Sequence, residues 1–515
     1  MADKNMTDPN TKAQKWKYYK NVVALSASFF LLFSAFQAVS TLQTSINAFK
    51  GLGSTSLSII YGFFIISCLF LPELLISFLT IKWTLVLCVL MYTSFIIANF
   101  KPAWYTLFPT SALLGLAAGP LWTSQSVYIT AMGKKLGQCL SRDKQSSKKR
   151  SDTSLLSPTE PSKSMNSSMN SSSNEIVDTV GVGKGTGENN GKAAAIAPFL
   201  FGIFFAFFQT GSLLGQLISS LTLKSDFVSA EDHNNSNSNH SFHCGSSFCS
   251  NQDSGGSIFK PSQRKIYTLY AVYTALSLSA VLVVSIFLDN LPRQSVKADS
   301  YDEDDSNGKG VKKRGSIWSM CFATLNQMRD PRQICLIPLS IYSGLQQGFM
   351  SADFTKAYVA CYYGVGYLGF VMMVYGAVNA IVCLISGYLN KKISRWPLFL
   401  TAAIIHSFLV FPILAFSKQA FATHFYLMFV VAGLWGCFDG IYQPQINGLY
   451  SSLFQNNPEP AFANHRLWES LGFIISFGYH DALCIKFKLI FMSVMLVLAT
   501  ISYIVLETRV KNRVS

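Results

Sequence analysis

Residues 489–506 read LIFMSVMLVLATISYIVL and contain no charged side chain. About 20 apolar residues in a helix cross the hydrocarbon core of a bilayer, and a helix satisfies its own backbone hydrogen bonds there. Two more unbroken apolar runs occupy residues 22–32 and 85–98. This pattern predicts membrane-spanning helices.

Composition extends the prediction to the whole chain. Of 515 residues, 50% are hydrophobic and 13% are charged, with a mean hydropathy of +0.31. Soluble domains carry about 25% charged residues, so this chain lacks the polar surface that a soluble protein of its length needs. We predict an all-α transmembrane fold with twelve spans, at about 21–46, 56–80, 84–99, 105–131, 194–222, 266–289, 333–355, 364–389, 397–416, 424–449, 465–483 and 488–507.

Three long polar segments separate these apolar runs. Residues 133–192 are rich in Ser, Asn, Gly and Lys, residues 223–265 in Asn, Ser and His, and residues 291–332 in side chains of both charges. None has apolar periodicity, so we expect each to be largely disordered. The resulting organisation is an N-terminus 1–20, a six-helix half 21–290, a linker 291–332, a second six-helix half 333–508 and a tail 509–515.

The distribution of Lys and Arg predicts the orientation in the membrane. Most of the 41 basic residues lie in 1–20, 133–192, 291–332 and the C-terminal tail, and basic loops stay on the cytoplasmic side. We therefore expect both termini in the cytosol. As a separate expectation, the protein is assigned to the plasma membrane. Because these loops explain the net charge of +15, membrane lipids are expected partners and nucleic acid is not.

Residues 223–265 would then lie outside the cell. They contain glycosylation sequons at Asn234 and Asn239, and such sequons belong in exported loops. Cys244 and Cys249 are close enough in sequence to pair in an oxidising compartment. Most of the other cysteines lie in apolar runs and are interpreted as small buried side chains.

Six spans, a polar linker and six further spans resemble the plan of major-facilitator membrane proteins. Residues 387–395, GYLNKKISR, also resemble the facilitator loop in which a Gly bends the helix end beside basic residues. The first-half counterpart, at 81–83, lacks the Gly and the basic run. In facilitators that first-half copy usually gates alternating access, so its absence counts against cycling transport.

Polar side chains concentrate in the first, fourth, seventh and tenth spans, which line the central cavity of a facilitator fold. A polar group in hydrocarbon is costly unless it has a partner. The pattern predicts a hydrated central cavity lined by Gln37, Gln43, Trp122, Gln125, Tyr342, Gln346, Asp353, Asp439, Gln443 and Asn447. The alternative is that members of this set only join helices by hydrogen bonds.

Charged residues inside the spans are few. Glu73 and Asp439 are the candidates for proton coupling, because a carboxyl group inside an apolar span is an unusual ionisable site. Arg466 and Glu469, at the expected start of the eleventh span, are interpreted as a structural salt bridge. We recognise no catalytic motif, metal-ligand cluster or phosphate-binding loop, so no enzyme activity, catalytic residue, metal or cofactor is expected.

Six runs of sequence resemble the Unc ninety-three family and, within it, the homologue A branch. They are residues 58–62, 119–125, 337–349, 353–358, 433–447 and 461–473, and the similarity extends over nearly all the spans. The resemblance implies a facilitator fold without catalytic residues. It also implies partnership, since family members are associated with regulating two-pore-domain potassium channels and with trafficking of membrane receptors.

Two functions follow as hypotheses. The first is a non-enzymatic accessory protein that binds a potassium channel or a receptor and regulates its activity or its trafficking. The second is a secondary transporter of a small polar solute, proton-coupled through Glu73 or Asp439. The degenerate first-half loop favours the first hypothesis, and the polar cavity favours the second.

Overall fold

Long apolar runs form long helices, and helices make up nearly all of the computed structural model of the chain. The structure describes residues 9–46, 52–154, 184–233, 244–249, 262–291, 322–363, 367–390, 392–415, 421, 423–479 and 483–511.

Five helices build the N-terminal half. They are α1 (Pro9–Ile46), α2 (Leu52–Ala98), α3 (Trp104–Ser154), α4 (Lys184–His233) and α5 (Gln263–Phe287). Helix α2 contains the second and third spans and is interrupted at Thr80, whose φ of 72° and ψ of 159° are not helical. Five helices therefore provide six spans.

Seven helices follow, besides the single helical turn Cys361–Tyr363 at the end of the seventh span. They are the short α6 (Ala323–Gln327), α7 (Pro331–Gly348), α8 (Leu368–Leu389), α9 (Arg395–Ala415), α10 (Tyr426–Leu453), α11 (Pro458–Gly478) and α12 (Ile485–Lys511). The seventh span continues beyond α7 as a π-helical segment, Phe349–Ala360. Helices α7 to α12 provide spans seven to twelve, so the predicted all-helical, twelve-span fold is confirmed.

The spans alternate in direction, which gives the bundle two ends. We call the end at which α1 begins and α12 ends the terminal face, and the other end the opposite face. On the terminal face, Lys20 Nζ and Asn21 Nδ2 donate to the carboxylate of Asp289, just after α5 (3.1 and 3.0 Å). Desolvation opposes ionisation of Asp289, but the hydrogen bonds from Asn21 and Lys20 outweigh it and lower its pKa.

The segment 133–192 is helical at both ends, contrary to the expectation of disorder there. Helix α3 continues to Ser154, and within this extension Asp143 forms an ion pair with Lys15 of α1 (2.6 Å). Helix α4 begins at Lys184. Local periodicity could not reveal an ion pair to a residue that is distant in the chain.

The expectation of disorder is also wrong for parts of 223–265. Helix α4 continues to His233, and residues 244–249 are fixed by two disulfide bonds. Covalent bonds to distant residues order a stretch that has no apolar periodicity of its own. Asn234 and Asn239 lie outside the described residues, so their glycosylation stays a prediction.

The two halves meet through several helix pairs, and two of these pairs are related by the internal repeat. Helix α4, the fifth span, packs on α8, the eighth span, and the second span, in α2, packs on α11. Each pair is converted into the other by shifting every span by six, so the interface follows the internal repeat. In the second pair, the ring of Tyr61 lies 5.9 Å from that of Phe473 and 5.4 Å from that of Phe477.

Equivalent close approaches of backbone occur inside each half. A Cβ on Gly215 of α4 would lie 2.0 Å from the carbonyl oxygen of Ser34 on α1. A Cβ on Gly472 of α11 would lie 2.1 Å from the carbonyl oxygen of Ile341 on α7. Small residues let membrane helices approach closely. The first and fifth spans therefore pack as the seventh and eleventh do.

Polarity differs among the helices of the described chain. Seven are long and apolar enough to cross a membrane by composition alone, namely α1, α2, α4, α5, α8, α9 and α12. Helices α3, α7, α10 and α11 carry more polar side chains, and many of these are buried. These four helices are therefore the candidates to carry a functional site.

Candidate functional site

A fully buried carboxylate, Asp439 of α10, forms the centre of a polar network in the C-terminal half. It accepts hydrogen bonds from Gln346 Nε2 of α7 (2.7 Å), and from Tyr375 Oη (2.9 Å) and Asn379 Nδ2 (2.7 Å) of α8. Gln346 in turn accepts from Trp435 Nε1 (2.7 Å). Three helices are thus joined at one carboxylate.

The donors to Asp439 are all neutral, and within the described ranges no cation forms an ion pair with it. A carboxyl group in the interior of a membrane protein is costly, and such groups mark ion and proton sites. Asp439 is therefore an ionisable group in the interior of the bundle, and three neutral donors stabilise its carboxylate form.

A buried ion pair on α11 forms a second centre. Arg466 Nη1 donates to Glu469 Oε2 (2.5 Å), and Arg466 Nη2 donates to Asn447 Oδ1 of α10 (3.2 Å). Ser343 Oγ of α7 donates to Glu469 Oε1 (2.8 Å), and Gln443 Nε2 of α10 donates to Ser343 Oγ (2.9 Å). The second centre therefore joins α7, α10 and α11.

The depth of this ion pair differs from the sequence expectation. The eleventh span was expected to begin at 465, but α11 begins at Pro458, so Arg466 and Glu469 lie well inside the helix. Their side chains are only 4% and 7% exposed. The salt bridge is present, but it belongs to the interior of the bundle and not to its surface.

Arg466 also joins the two halves. Its guanidinium group lies 4.7 Å from the ring centre of Trp122 on α3, in cation–π contact. Arg466 Nε, Gln125 Nε2 and Gln443 Oε1 are buried and make no hydrogen bond to any described residue. Buried polar atoms of this kind call for water or a ligand. The interface where Arg466 meets Trp122 therefore contains buried polar groups with unused hydrogen-bonding capacity.

A third charged centre lies between the π-helical part of the seventh span and α12. Asp353, in the π-helical segment, pairs with Lys488 of α12 (2.6 Å), and both side chains are 1% exposed. Lys488 Nζ also lies 5.3 Å from the ring of Tyr479. Asp353 therefore joins the seventh span to the twelfth and is separate from the network around Asp439.

The remaining residues predicted for the cavity are dispersed. Tyr342 turns to α9, where its hydroxyl lies 2.5 Å from His406 Nδ1. Gln37 of α1 and Glu73 of α2 are half-buried. Gln43 lies in α1, but its side chain is outside the described part of the structure. The structure thus brings together Trp122, Gln346, Asp439, Gln443 and Asn447, mainly from the C-terminal half.

The corresponding interior of the N-terminal half is aromatic. Phe33 of α1 lies at its centre, with its ring 5.2 Å from that of Trp122 and 4.8 Å from that of Phe208. Phe29, Phe36 and Tyr92 complete the contacts of Phe33. Arg466 therefore contacts, through Trp122, the edge of an aromatic cluster.

The disulfide bonds differ from the predicted Cys244–Cys249 pair, which is wrong. Cys244 bonds to Cys361 and Cys249 to Cys484, across sequence separations of 117 and 235 residues. Cys361 and Cys484 lie between the predicted spans seven and eight and spans eleven and twelve. The predicted topology puts both of these loops on the same membrane face as residues 244–249. This shared face was the signal in the sequence for the observed pairing.

Sequence reasoning also missed Tyr375 and Asn379, because only the first, fourth, seventh and tenth spans were considered as cavity lining. A signal was present: Asn379 stands one helical turn after Tyr375 in an otherwise apolar span, so both side chains project from one helix face. Their partner on another helix could not be read from the sequence.

Twelve helical spans in two related halves, with buried charges between them, define a multi-pass membrane protein of major-facilitator architecture. Solved structures agree. The proton:xylose symporter XylE bound to 6-bromo-6-deoxy-D-glucose is similar with a TM-score of 0.57 and 12% identity, over 94% of each chain. The E. coli Fucose:proton symporter FucP is similar with a TM-score of 0.56 and 14% identity, over 94% of this chain and 99% of that one.

The family follows from the sequence matches. Residues 43–139 and 196–504 match the family described as "Ion channel regulatory protein UNC-93", and the chain belongs to the UNC-93 family. It is 35% identical to protein unc-93 homolog A of Homo sapiens, over 95% of this chain and 93% of that one. It is 34% identical to the Xenopus laevis homolog A, over 95% and 92%. The predicted resemblance is confirmed.

A more distant relative has a more specific name. The chain is 28% identical to the "Putative potassium channel regulatory protein unc-93" of Caenorhabditis elegans. The match covers 96% of this chain and 61% of that protein.

Proposed function

We propose that this protein is a non-enzymatic accessory protein of the membrane that regulates a potassium channel or the trafficking of another membrane protein. The observation that carries the proposal is the match to a family named for ion channel regulation, over nearly all the spans. The interior geometry fits it. Asp439 and Glu469 each bind side chains from neighbouring spans, which braces the C-terminal half as a scaffold.

Co-expression with a panel of two-pore-domain potassium channels tests the proposal. We expect a change in whole-cell current, or in surface-biotinylated channel, for at least one channel of the panel. The XylE symporter is the matched control, because it has the same architecture and belongs to a different family. Unchanged currents and unchanged surface levels across the panel, with both proteins at equal expression, would contradict regulation of potassium channels.

We infer further that both termini are cytosolic, that the opposite face is extracellular and that the protein is in the plasma membrane. Two observations support this orientation: the basic segments near the termini, and the two disulfide bonds on the opposite face, since disulfides form in oxidising compartments. Asn234 and Asn239 are then glycosylation sites. A glycosidase should increase the mobility of the wild-type protein on a gel. The shift should be absent from Asn234→Gln with Asn239→Gln, and its persistence would contradict this assignment.

A second candidate function is proton-coupled transport of a small polar solute. The observation that favours it is the set of buried, unsatisfied polar atoms beside Trp122, next to the ion pair of Arg466 and Glu469. Asp439 and Glu73 are the proton-coupling groups of this proposal, and Glu469 joins them because its partner Arg466 faces the other half.

Proteoliposomes distinguish this candidate from the first. With a proton gradient imposed and an internal pH-sensitive dye, a panel of sugars, amino acids and nucleosides would be screened for solute-dependent proton entry. We expect Asp439→Asn to abolish coupled entry, whereas Cys437→Ala, on the same helix, retains it. Absence of solute-dependent proton entry across the panel counts against the transporter, and equal rates in Asp439→Asn contradict the role of Asp439.

A further inference from the structure

Residues 244–249 belong by sequence to the N-terminal half, between α4 and α5, but their described contacts outside the segment are with the C-terminal half. Besides the two disulfide bonds, the carbonyl oxygen of Phe248 accepts a hydrogen bond from the backbone N–H of Ile485 (3.0 Å). Lys356 Nζ lies 5.8 Å from the ring of Phe248. Cys244 and Phe248 are buried in these contacts.

The two bonds of this segment end on two different spans. Cys361 directly follows the π-helical segment of the seventh span, and Cys484 directly precedes α12. Residues 244–249 therefore connect the opposite-face ends of the seventh and twelfth spans. The connection is covalent at both ends and only a few residues long.

The same two spans are also joined deeper in the membrane than residues 244–249. Asp353 and Lys488 form their buried ion pair one to two helical turns further into the membrane. The stretch between Asp353 and Cys361 is π-helical, a rare geometry that is frequent at functional sites. The only disulfide bonds among the described residues thus hold the π-helical end of the seventh span.

We propose that residues 244–249 form a redox-sensitive clip that fixes the π-helical end of the seventh span to the twelfth span, and that reduction of both disulfide bonds releases this end. The clip is a property of the fold and does not depend on which proposed function holds. It does require that the opposite face lies in an oxidising compartment, as inferred above.

The chemistry of release is thiol–disulfide exchange. A dithiol reductant attacks one sulfur of each bond as a thiolate, and its second thiol then closes a cyclic disulfide. Each bond takes up two electrons and two protons and yields two cysteine thiols, while the reductant loses the same number. Cys249, Cys361 and Cys484 are half-buried, so a small reductant can reach each bond.

Mass spectrometry of the full-length protein in nanodiscs, digested without reductant, tests the pairing first. Peptides linked through Cys244–Cys361 and Cys249–Cys484 are expected. A Cys244–Cys249 peptide in their place would overturn the clip.

Hydrogen exchange then tests its action. Dithiothreitol should increase amide exchange in 349–363 by about tenfold, because this segment can open locally once its disulfide bonds are reduced. Exchange in 196–222 should stay unchanged. The variant Cys361→Ser with Cys484→Ser should exchange fast with and without dithiothreitol, whereas the control Cys437→Ser should behave as wild type. Unchanged exchange in 349–363, with reduction verified by mass, would overturn the proposal. If the double variant does not fold, wild type with and without reductant still decides the question.

Discussion

The two halves of this protein share one backbone plan but have different interiors. Around Phe33 the N-terminal half is filled by aromatic rings, whereas around Asp439 and Glu469 the C-terminal half is held by hydrogen bonds and an ion pair. The close approaches at Gly215 and Gly472 are nevertheless equivalent. The internal repeat therefore specifies how the helices pack, and the side chains decide which half carries the chemistry.

The difference has physical consequences. Aromatic packing depends on shape and buried area, so the loss of one ring removes contacts without leaving a charge exposed to hydrocarbon. A buried polar network depends on every member, because an unpaired charge in a low-dielectric interior is strongly destabilising. Single substitutions should therefore destabilise the C-terminal half more than the N-terminal half. The loss of stability in the C-terminal half should also depend on whether the partner side chain is still present.

The largest effect is expected at the ion pair of the C-terminal half. Glu469→Leu leaves Arg466 buried without its partner and should lower the free energy of unfolding by about 4 kcal/mol. Arg466→Met combined with Glu469→Leu removes both charges and should cost far less. Denaturation of the purified protein in mild detergent measures both. If the double variant is as unstable as the single one, the ion pair is not what makes Glu469 important.

A smaller effect is expected in the aromatic half. Phe33→Ala leaves a cavity among the surrounding rings and should cost about 3 kcal/mol, measured in the same denaturation assay. Phe33→Leu keeps most of the volume and should cost about 1 kcal/mol. In this half the loss should follow the volume removed. Equal losses for the two variants would mean that the ring itself, and not its volume, stabilises the half.

Where the halves are alike, their responses should be alike. Gly215→Ala and Gly472→Ala each place a methyl group against a backbone carbonyl and should cost about 2 kcal/mol. Gly62→Ala is the control, because no atom lies within 4 Å of the added carbon. Thermal melting of the three variants compares them directly. A loss of stability at only one of the two positions would show that the two close approaches do not contribute equally to stability.

The smallest effect concerns the terminal face of the N-terminal half. The pKa of Asp289 is lowered in the folded protein, so its ionised form stabilises the fold above the unfolded pKa of 3.8, and this contribution is lost as the pH falls through the lower, folded value. Because the Asp289 side chain is 36% exposed, the contribution should be below about 1 kcal/mol. The stabilities of Asp289→Asn and wild type should converge as the pH falls well below 3.8 and Asp289 becomes protonated in the folded protein. A difference that persists there would point to a role other than charge.

The sequence determined the membrane class, the twelve spans and the two halves. Apolar runs such as 489–506 have one stable arrangement in a bilayer, and this requirement is local. Asp439 could likewise be singled out, because a carboxyl group in such a run is unusual wherever it points. Only the tertiary structure decided its donors on α7 and α8, the depth of Arg466 and the partners of Cys244 and Cys249. Those depend on which distant residues meet across helices, and neither periodicity nor composition records a contact between residues 117 or 235 positions apart.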